Sequence, residues 1–442
     1  MSLPIIGLNL LSHTMLAVDL AVCGGLPDAQ PVIAALGFST QIVSLLLVAM
    51  MGLLIGTVAL VSRAYGAGDS ERVNHLLVQG TMLTAIVGIV LGVLGALLAS
   101  PILRALGASP ELAELGTSYL RPLMLSTPFA YLALLYAFIL RGVGNTRLPF
   151  ICALVANLVN LALAYALVLG KFGMPMMGVQ GAAASTVIAQ LVNVGLLVTM
   201  LRSGKIANLR LPLRIRRIDR ALASELFRVG WPATVESLVV NAGFLTALGL
   251  LGRFDEVAVA AHAIGMRVQS LVYVPAFGVS QAAAALVGQA LGAGDVDGAR
   301  RILRATLWVC SSIMFGLMVP ILFGARPLLQ LFDIGSDMRL ETYAVEWMSL
   351  LAYGMVPYGI YFAFSAVLSG SGATRTGLRI NIASTLLVQI PAALILAVGF
   401  DLGPLGVWLS FPIMFVMKVA LAYRAYRQGH WAVTGTKVPA RA

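Results

Sequence analysis

Charge is scarce in this chain. Asp, Glu, Lys and Arg together make up 11% of its 442 residues, against about 25% in ordinary soluble domains. So few charged side chains cannot cover the apolar interior of a water-soluble globule of this length, and that class is excluded. Cysteine is nearly absent: Cys23, Cys152 and Cys310 show neither metal-ligand spacing nor obvious pairing and read as small packing residues. Of the four histidines, His13 and His262 stand alone in apolar runs and read as packing residues too. No HExxH, paired-Asp or CxxC constellation is present. The tetrad Gly116, Thr117, Ser118, Tyr119 resembles a short nucleophile signature, but the nearest histidine in sequence, His75, is expected on the other membrane side. Gly66, Ala67, Gly68 lacks the Lys and Ser/Thr of a phosphate loop. An intramembrane enzyme and an ATP-driven pump are both disfavoured, and neither a cofactor nor a metal is expected.

What the chain has in abundance is apolar sequence, 60% of all residues. A spanning helix needs about 20 apolar residues, and about twelve such stretches follow one another, at 3–23, 33–61, 76–99, 119–140, 150–169 and 178–201, then 226–251, 257–285, 303–323, 347–368, 380–398 and 403–423. The runs are continuous, whereas barrel strands alternate over about ten residues. The expected class is an all-α polytopic membrane protein of about twelve transmembrane helices. Its expected parts are a six-helix lobe at 1–201, a basic cytoplasmic linker at 202–225, a second six-helix lobe at 226–423 and a cytoplasmic tail at 424–442. The first run lacks a basic leader, and Asp19 interrupts it, so it reads as a span rather than a signal peptide.

A net charge of +11 invites the idea of nucleic acid, but the positions of the charges decide otherwise. Twenty of the 29 Lys and Arg fall after even-numbered spans or at the C-terminus, among them Arg63, Arg141, Arg202, Arg210, Arg300 and Arg375. The odd-numbered loops carry Arg104, Arg121, Lys171, Arg253, Arg326 and Arg339, and Arg228, Arg267 and Lys418 lie inside or at the edge of spans. This is the positive-inside pattern of a plasma (inner) membrane protein with both termini cytoplasmic. Its surroundings are membrane lipid, not nucleic acid.

The halves repeat. Ala64 to Asp69 recurs at Ala290 to Asp295; Gly142, Gly144, Thr146 and Arg147 recur as Gly370, Gly372, Thr374 and Arg375; Gly178 and Gly181 recur as Gly403 and Gly406; and Pro4 recurs as Pro232. Six spans per half is an even number, so the two copies form parallel six-helix repeats. A cavity between such repeats opens alternately to each side when one rocks against the other, which favours transport.

Ionisable groups within spans cost about 2.5 to 3.5 kcal/mol each on insertion scales and are functional candidates by default. Asp19 is the sharpest, roughly 6 Å from the outer end of the first helix. Glu236 and Arg267 are the candidates of the second half, and Arg267, near mid-depth of its span, is expected to be either wet or paired, with Glu236 as the candidate partner. Glu236 reads equally well as a helix-end carboxylate facing the cytoplasm beside Arg228. Aromatic and Met residues, Tyr358 among them, could line a pocket for amphipathic cations.

The ordered motifs carry a resemblance. Pro4 with Asp19 fifteen residues later, the Gly-Ala-Gly-Asp element after spans two and eight, Arg141-Gly-Val-Gly-Asn-Thr146, and Gly178-Val-Gln-Gly-Ala-Ala183 together resemble the multidrug and toxic compound extrusion (MATE) family over nearly the whole chain. The resemblance implies a two-lobed antiporter exporting amphipathic, often cationic, compounds in exchange for protons or sodium ions. It maps the family's functional first-helix Asp onto Asp19 and a neighbouring polar position onto Asn160. It marks Pro4 and Pro232 as helix-bending positions. Ala164 stands where many relatives carry a carboxylate or amide, and Val240 and Tyr358 stand where one branch carries acids. Glu236 lies one turn before Val240 on the same face. A lone Asp19 suits a proton better than sodium, and the transporter is expected to act as a monomer on small-molecule substrates. A flippase for lipid-linked sugars would share the architecture but needs a markedly basic cavity. With Arg267 as the main buried cation, the sequence favours drug or metabolite export.

Overall fold

The structure is a computed structural model that describes residues 1–26, 29–204, 206–207, 209–211, 217–330 and 337–432. Within the helices, the side chains of residues 13, 14, 16, 17 and 330 are not among those described, so His13 lies outside the described residues, as do Lys205, Arg214, Arg216, Lys437 and Arg441. Twelve long helices follow in order: α1 Ser2–Cys23, α2 Ala29–Gly66, α3 Ser70–Ala105, α4 Pro110–Gly142, α5 Arg147–Leu169, α6 Val179–Arg202, α7 Arg220–Phe254, α8 Glu256–Gly292, α9 Val296–Gln330, α10 Met338–Ser371, α11 Thr374–Gly399 and α12 Pro404–Arg427. Eleven are long and apolar enough to cross a membrane, and α1, with 22 residues, is the twelfth. No strand occurs among the described residues. The fold is that of an all-α multi-pass membrane protein. Its helices outrun the apolar stretches of the sequence because helix formation continues past the lipid into polar flanks such as Arg63 to Gly66.

The chain forms two compact units, Leu3–Arg228 and Val229–Ala442. The division falls inside α7, and the linker explains why. The Gln79 amide donates to the Arg217 carbonyl (3.0 Å) and accepts from the Asp219 N–H (3.0 Å), and the Asn74 side chain accepts from the Arg210 N–H (2.7 Å). Arg72 grips both oxygens of Glu225 at 3.0 and 3.1 Å. The described part of the linker is therefore bound along α3.

The repeated motifs do the same work in each unit. Asp69 accepts from the Arg72 N–H (2.9 Å) and Asp295 from the Gly298 N–H (2.6 Å), so each caps the helix that follows. Gly178 (φ 55°, ψ −128°) and Gly403 (φ 54°, ψ −132°) enter α6 and α12 in one conformation open only to glycine. Three residues on, a Cβ on Gly181 would lie 2.7 Å from the Leu167 carbonyl, and one on Gly406 would lie 2.5 Å from the Ala397 nitrogen. Backbones touch there, as small residues allow in membranes. The Thr146 hydroxyl donates to the Met1 carbonyl (3.1 Å), and the Thr374 hydroxyl to the Val229 carbonyl (2.6 Å). Both acceptors lie three residues before the repeated prolines, so this motif fastens the first helix of each half.

The prolines themselves differ in setting. Pro232 lies well inside α7, where it removes an intrahelical hydrogen bond and crowds the preceding turn. Pro4 stands in the first turn of α1, where its missing N–H has no intrahelical acceptor to lose. The widest departure from α geometry is in α11, which is wound as π-helix over Ile382–Gln389 and again over Ile395–Gly399, on either side of Pro391. Gly243 of α7 admits this stretch: a Cβ there would lie 2.5 Å from the Thr385 methyl.

Thr374→Val should remove about 1 kcal/mol from the second unit, read as a lower melting temperature of purified protein in detergent. Gly406→Val, which drives a side chain into α11 backbone, should abolish accumulation of folded protein in membranes.

Candidate functional site

Asp19 projects from α1 into the first unit and is 1% exposed. Three other helices supply its partners. The Tyr119 hydroxyl of α4 donates to Oδ2 at 2.9 Å, and the Thr186 hydroxyl of α6 donates to the same oxygen at 2.8 Å. Asn160 of α5 places its amide nitrogen 3.5 Å from Oδ1 and 3.1 Å from the Thr186 hydroxyl. Ser185 closes the group, 3.4 Å from the same nitrogen. Apolar packing by Cys23, Leu36, Tyr119, Leu123, Val168, Ala182 and Ala183 seals it. Asn160 Oδ1 is buried and has no hydrogen-bond partner, an uncommon condition for a buried polar atom.

Asp19 and Asn160 were both singled out from the sequence, and the fold brings them together. Tyr119, Ser185 and Thr186 were not. Tyr119 belongs to the tetrad that resembled a nucleophile signature; here it is a hydrogen-bond donor to a carboxylate. Thr186 lies three residues beyond the Gly178 to Ala183 motif. Ala164 is fully buried and contributes no polar atom. A cleft of about 830 Å³, lined in part by Thr117, Ser118, Arg121, Gln180 and Ala184, lies against the same turns of α4 and α6 that carry Tyr119 and Ser185.

The second unit holds a different polar group. Glu236 of α7 accepts a hydrogen bond from the Asn381 amide of α11 at 2.8 Å, and the same nitrogen lies 2.7 Å from the Tyr361 hydroxyl of α10. Gly377 makes room for the carboxylate, since a Cβ there would lie 2.9 Å from Glu236 Oε2. Lys418 of α12 is 2% exposed. Its ammonium lies 5.3 Å from the centre of the Tyr361 ring and 5.9 Å from that of Tyr358, and the Tyr361 hydroxyl in turn meets the amide that holds Glu236. Tyr358 packs against Tyr273 (4.7 Å), Phe362 (4.4 Å) and Phe415 (4.4 Å).

One expectation is corrected by this geometry. Arg267 is exposed rather than buried, and the buried cation in the group of residues around Glu236 is Lys418 of α12. Among the described residues, the buried Lys and Arg are Lys418, Arg63 and Arg141. Glu236 is half-buried, bonded to Asn381 with Gly377 against its carboxylate. His262 is 3% exposed and packs its ring 5.0 Å from Trp347. The three cysteines are buried and free. No group of three or more potential metal ligands occurs among the described residues.

The chain matches one family model twice. The model described as MatE covers residues 4–166 and again 232–395, so each match begins at one of the repeated prolines. Among curated relatives, the chain is 28% identical over 398 residues to "Probable multidrug resistance protein YoeA" of Bacillus subtilis, covering 89% of this chain and 85% of the relative. It is 30% identical over 445 residues to "Probable multidrug resistance protein NorM" of Bradyrhizobium diazoefficiens, covering 97% and 92%. Among solved structures, "Crystal structure of MATE in the bent conformation" superposes with a TM-score of 0.90 at 21% identity, over 98% of this chain and 95% of that one. That likeness carries the fold, and the sequence matches carry the kinship: the chain belongs to the MATE family of multidrug efflux transporters, multi-pass proteins of the inner membrane that act on small-molecule substrates and not as enzymes.

Proposed function

We propose that the protein is a proton-coupled antiporter that exports amphipathic, often cationic, compounds by alternating access between its two lobes, as a monomer with both termini in the cytoplasm. The observation that carries the coupling role is Asp19: one carboxylate, sealed from water, bonded to three helices other than its own. An ionised carboxylate accepts hydrogen bonds only, whereas a protonated one also donates. Tyr119, Thr186 and Asn160 all donate to it, which suits the ionised form. A proton on Asp19 needs an acceptor, and Asn160 Oδ1 is an unused one in the same cluster. Loading a proton therefore exchanges the partners that tie α1 to α4, α5 and α6. That gives a local chemical event the means to shift a helix.

Sodium fits less well. It takes several oxygen lone pairs, and the groups around Asp19 direct hydrogens at it, with a single negative charge to offset the ion. One proton is enough fuel: at a driving force of about 150 mV it supplies roughly 3.5 kcal/mol, a few-hundred-fold gradient of a neutral substrate.

The test is efflux of ethidium from proteoliposomes under an imposed pH gradient and then under a sodium gradient. Efflux is expected with the first alone. Asp19→Asn should keep the melting temperature and lose gradient-driven efflux; normal efflux by this variant removes Asp19 from the mechanism. Tyr119→Phe deletes one hydrogen bond to the ionised form, a contact worth about 1.5 to 3 kcal/mol. Its efflux should persist, with the pH profile displaced toward alkaline values; an unchanged profile would mean the Tyr119 contact does not bear on proton loading.

A further inference from the structure

Each lobe holds one acid among its helices, Asp19 buried and Glu236 half-buried, and the two sites are built differently. Asp19 follows its proline by fifteen residues and Glu236 by four, so the acids sit about 16 Å apart in level along equivalent helices. At the repeat offset of Pro4 to Pro232, the first-lobe counterparts of Glu236 and Asn381 are Leu8 and Ala153, and the counterpart of Asp19 is Ala247. The first-lobe acid is met by neutral donors only. The second-lobe acid accepts from an amide, and a buried ammonium, that of Lys418, lies against the tyrosine rings beside it.

A buried ammonium is costly unless an opposite charge and suitable faces receive it. For Lys418 these are Glu236 and the rings of Tyr358 and Tyr361. They are also what would receive an organic cation entering the same place: a carboxylate for its charge and aromatic faces for its body. A third feature points the same way. Asn381 is 1% exposed, its nitrogen is committed to Glu236, Tyr361 and the Gly377 carbonyl, and its Oδ1 has no partner. A buried acceptor without a donor, on the amide that holds the carboxylate, marks room in the bonding for an incoming ligand.

We propose that the group around Glu236 is a binding site for organic cations and that the ammonium of Lys418 is its tethered resident, which a substrate cation must displace. In lobe 2 the antiporter then needs no dissolved counter-ion, because Lys418 returns to Glu236 when the substrate leaves. This rests on the reading of the protein as a cation exporter, and assigns to Lys418 the part that a coupling ion plays at Asp19.

The sign of one mutation tests it. The probe is tetraphenylphosphonium, an aromatic cation with neither a titratable group nor a hydrogen-bond donor. Its binding to purified full-length protein is measured by equilibrium dialysis in detergent at neutral pH. Lys418→Met removes the competitor and leaves the acid, so affinity should rise about tenfold or more. Lys418→Arg keeps a cation and should bind as the wild type does. Glu236→Gln should weaken binding, and Lys418→Met should give no gain in that background. A vacated acid should also become open to sodium, so sodium chloride should compete with the probe in Lys418→Met more strongly than in the wild type. Where Lys418→Met fails to yield monodisperse protein, Lys418→Gln takes its place. Unchanged or weaker binding on loss of Lys418, or a gain that survives Glu236→Gln, overturns the proposal. The assay uses no gradient, so its outcome is independent of Asp19→Asn and of whether protons drive efflux.

Discussion

An ionised side chain persists inside a hydrocarbon layer only where the protein itself supplies the polar surroundings that water would have given. Every feature of the candidate sites answers to that constraint. The carboxylate of Asp19 cannot be held by its own helix, whose backbone donors are consumed by the helical ladder. Its partners must come from elsewhere, and Tyr119, Asn160 and Thr186 bring α4, α5 and α6 to one point. A single acid thus decides which faces of four helices meet. Any change in its protonation is felt by all four.

The same constraint is met by a second means in the other unit. There the acid is held by an amide, and a lysine in the same group of residues lies near tyrosine faces. A charge pair of this kind is self-contained, whereas a lone acid is reactive toward protons. The duplicated halves share capping residues, glycine conformations and threonine fastenings, so the scaffold has been kept while the chemistry has diverged.

Much of this scaffold was legible in the sequence because membrane helices announce themselves locally: twelve apolar runs gave twelve helices, and Asp19 stood out as a charge in one of them. The repeated glycines could be found by spacing alone. The partners of the charges could not. Tyr119, Ser185 and Thr186 are ordinary membrane-helix residues, and what makes them ligands is which helices pack together, a tertiary fact. Arg267 was placed beside Glu236 on depth alone, but depth along a helix does not fix azimuth, and Arg267 is exposed. Lys418 stands in the sequence as a charge near the end of an apolar run, where snorkelling toward the interface is the ordinary fate of a lysine; its burial beside the rings of Tyr358 and Tyr361 is a tertiary fact.

The π-wound stretch of α11 has a further consequence. One extra residue in a helical turn rotates everything beyond it by about 100°, so past Ile382 a fixed offset between the halves no longer matches one lateral direction to the same lateral direction. Val388 sits at the arithmetic counterpart of Asn160, yet it need not point toward the corresponding neighbour. The second copy of this hairpin has in effect been re-indexed about its own axis, and the twin positions of the two lobes beyond that turn are better paired by compass bearing than by count.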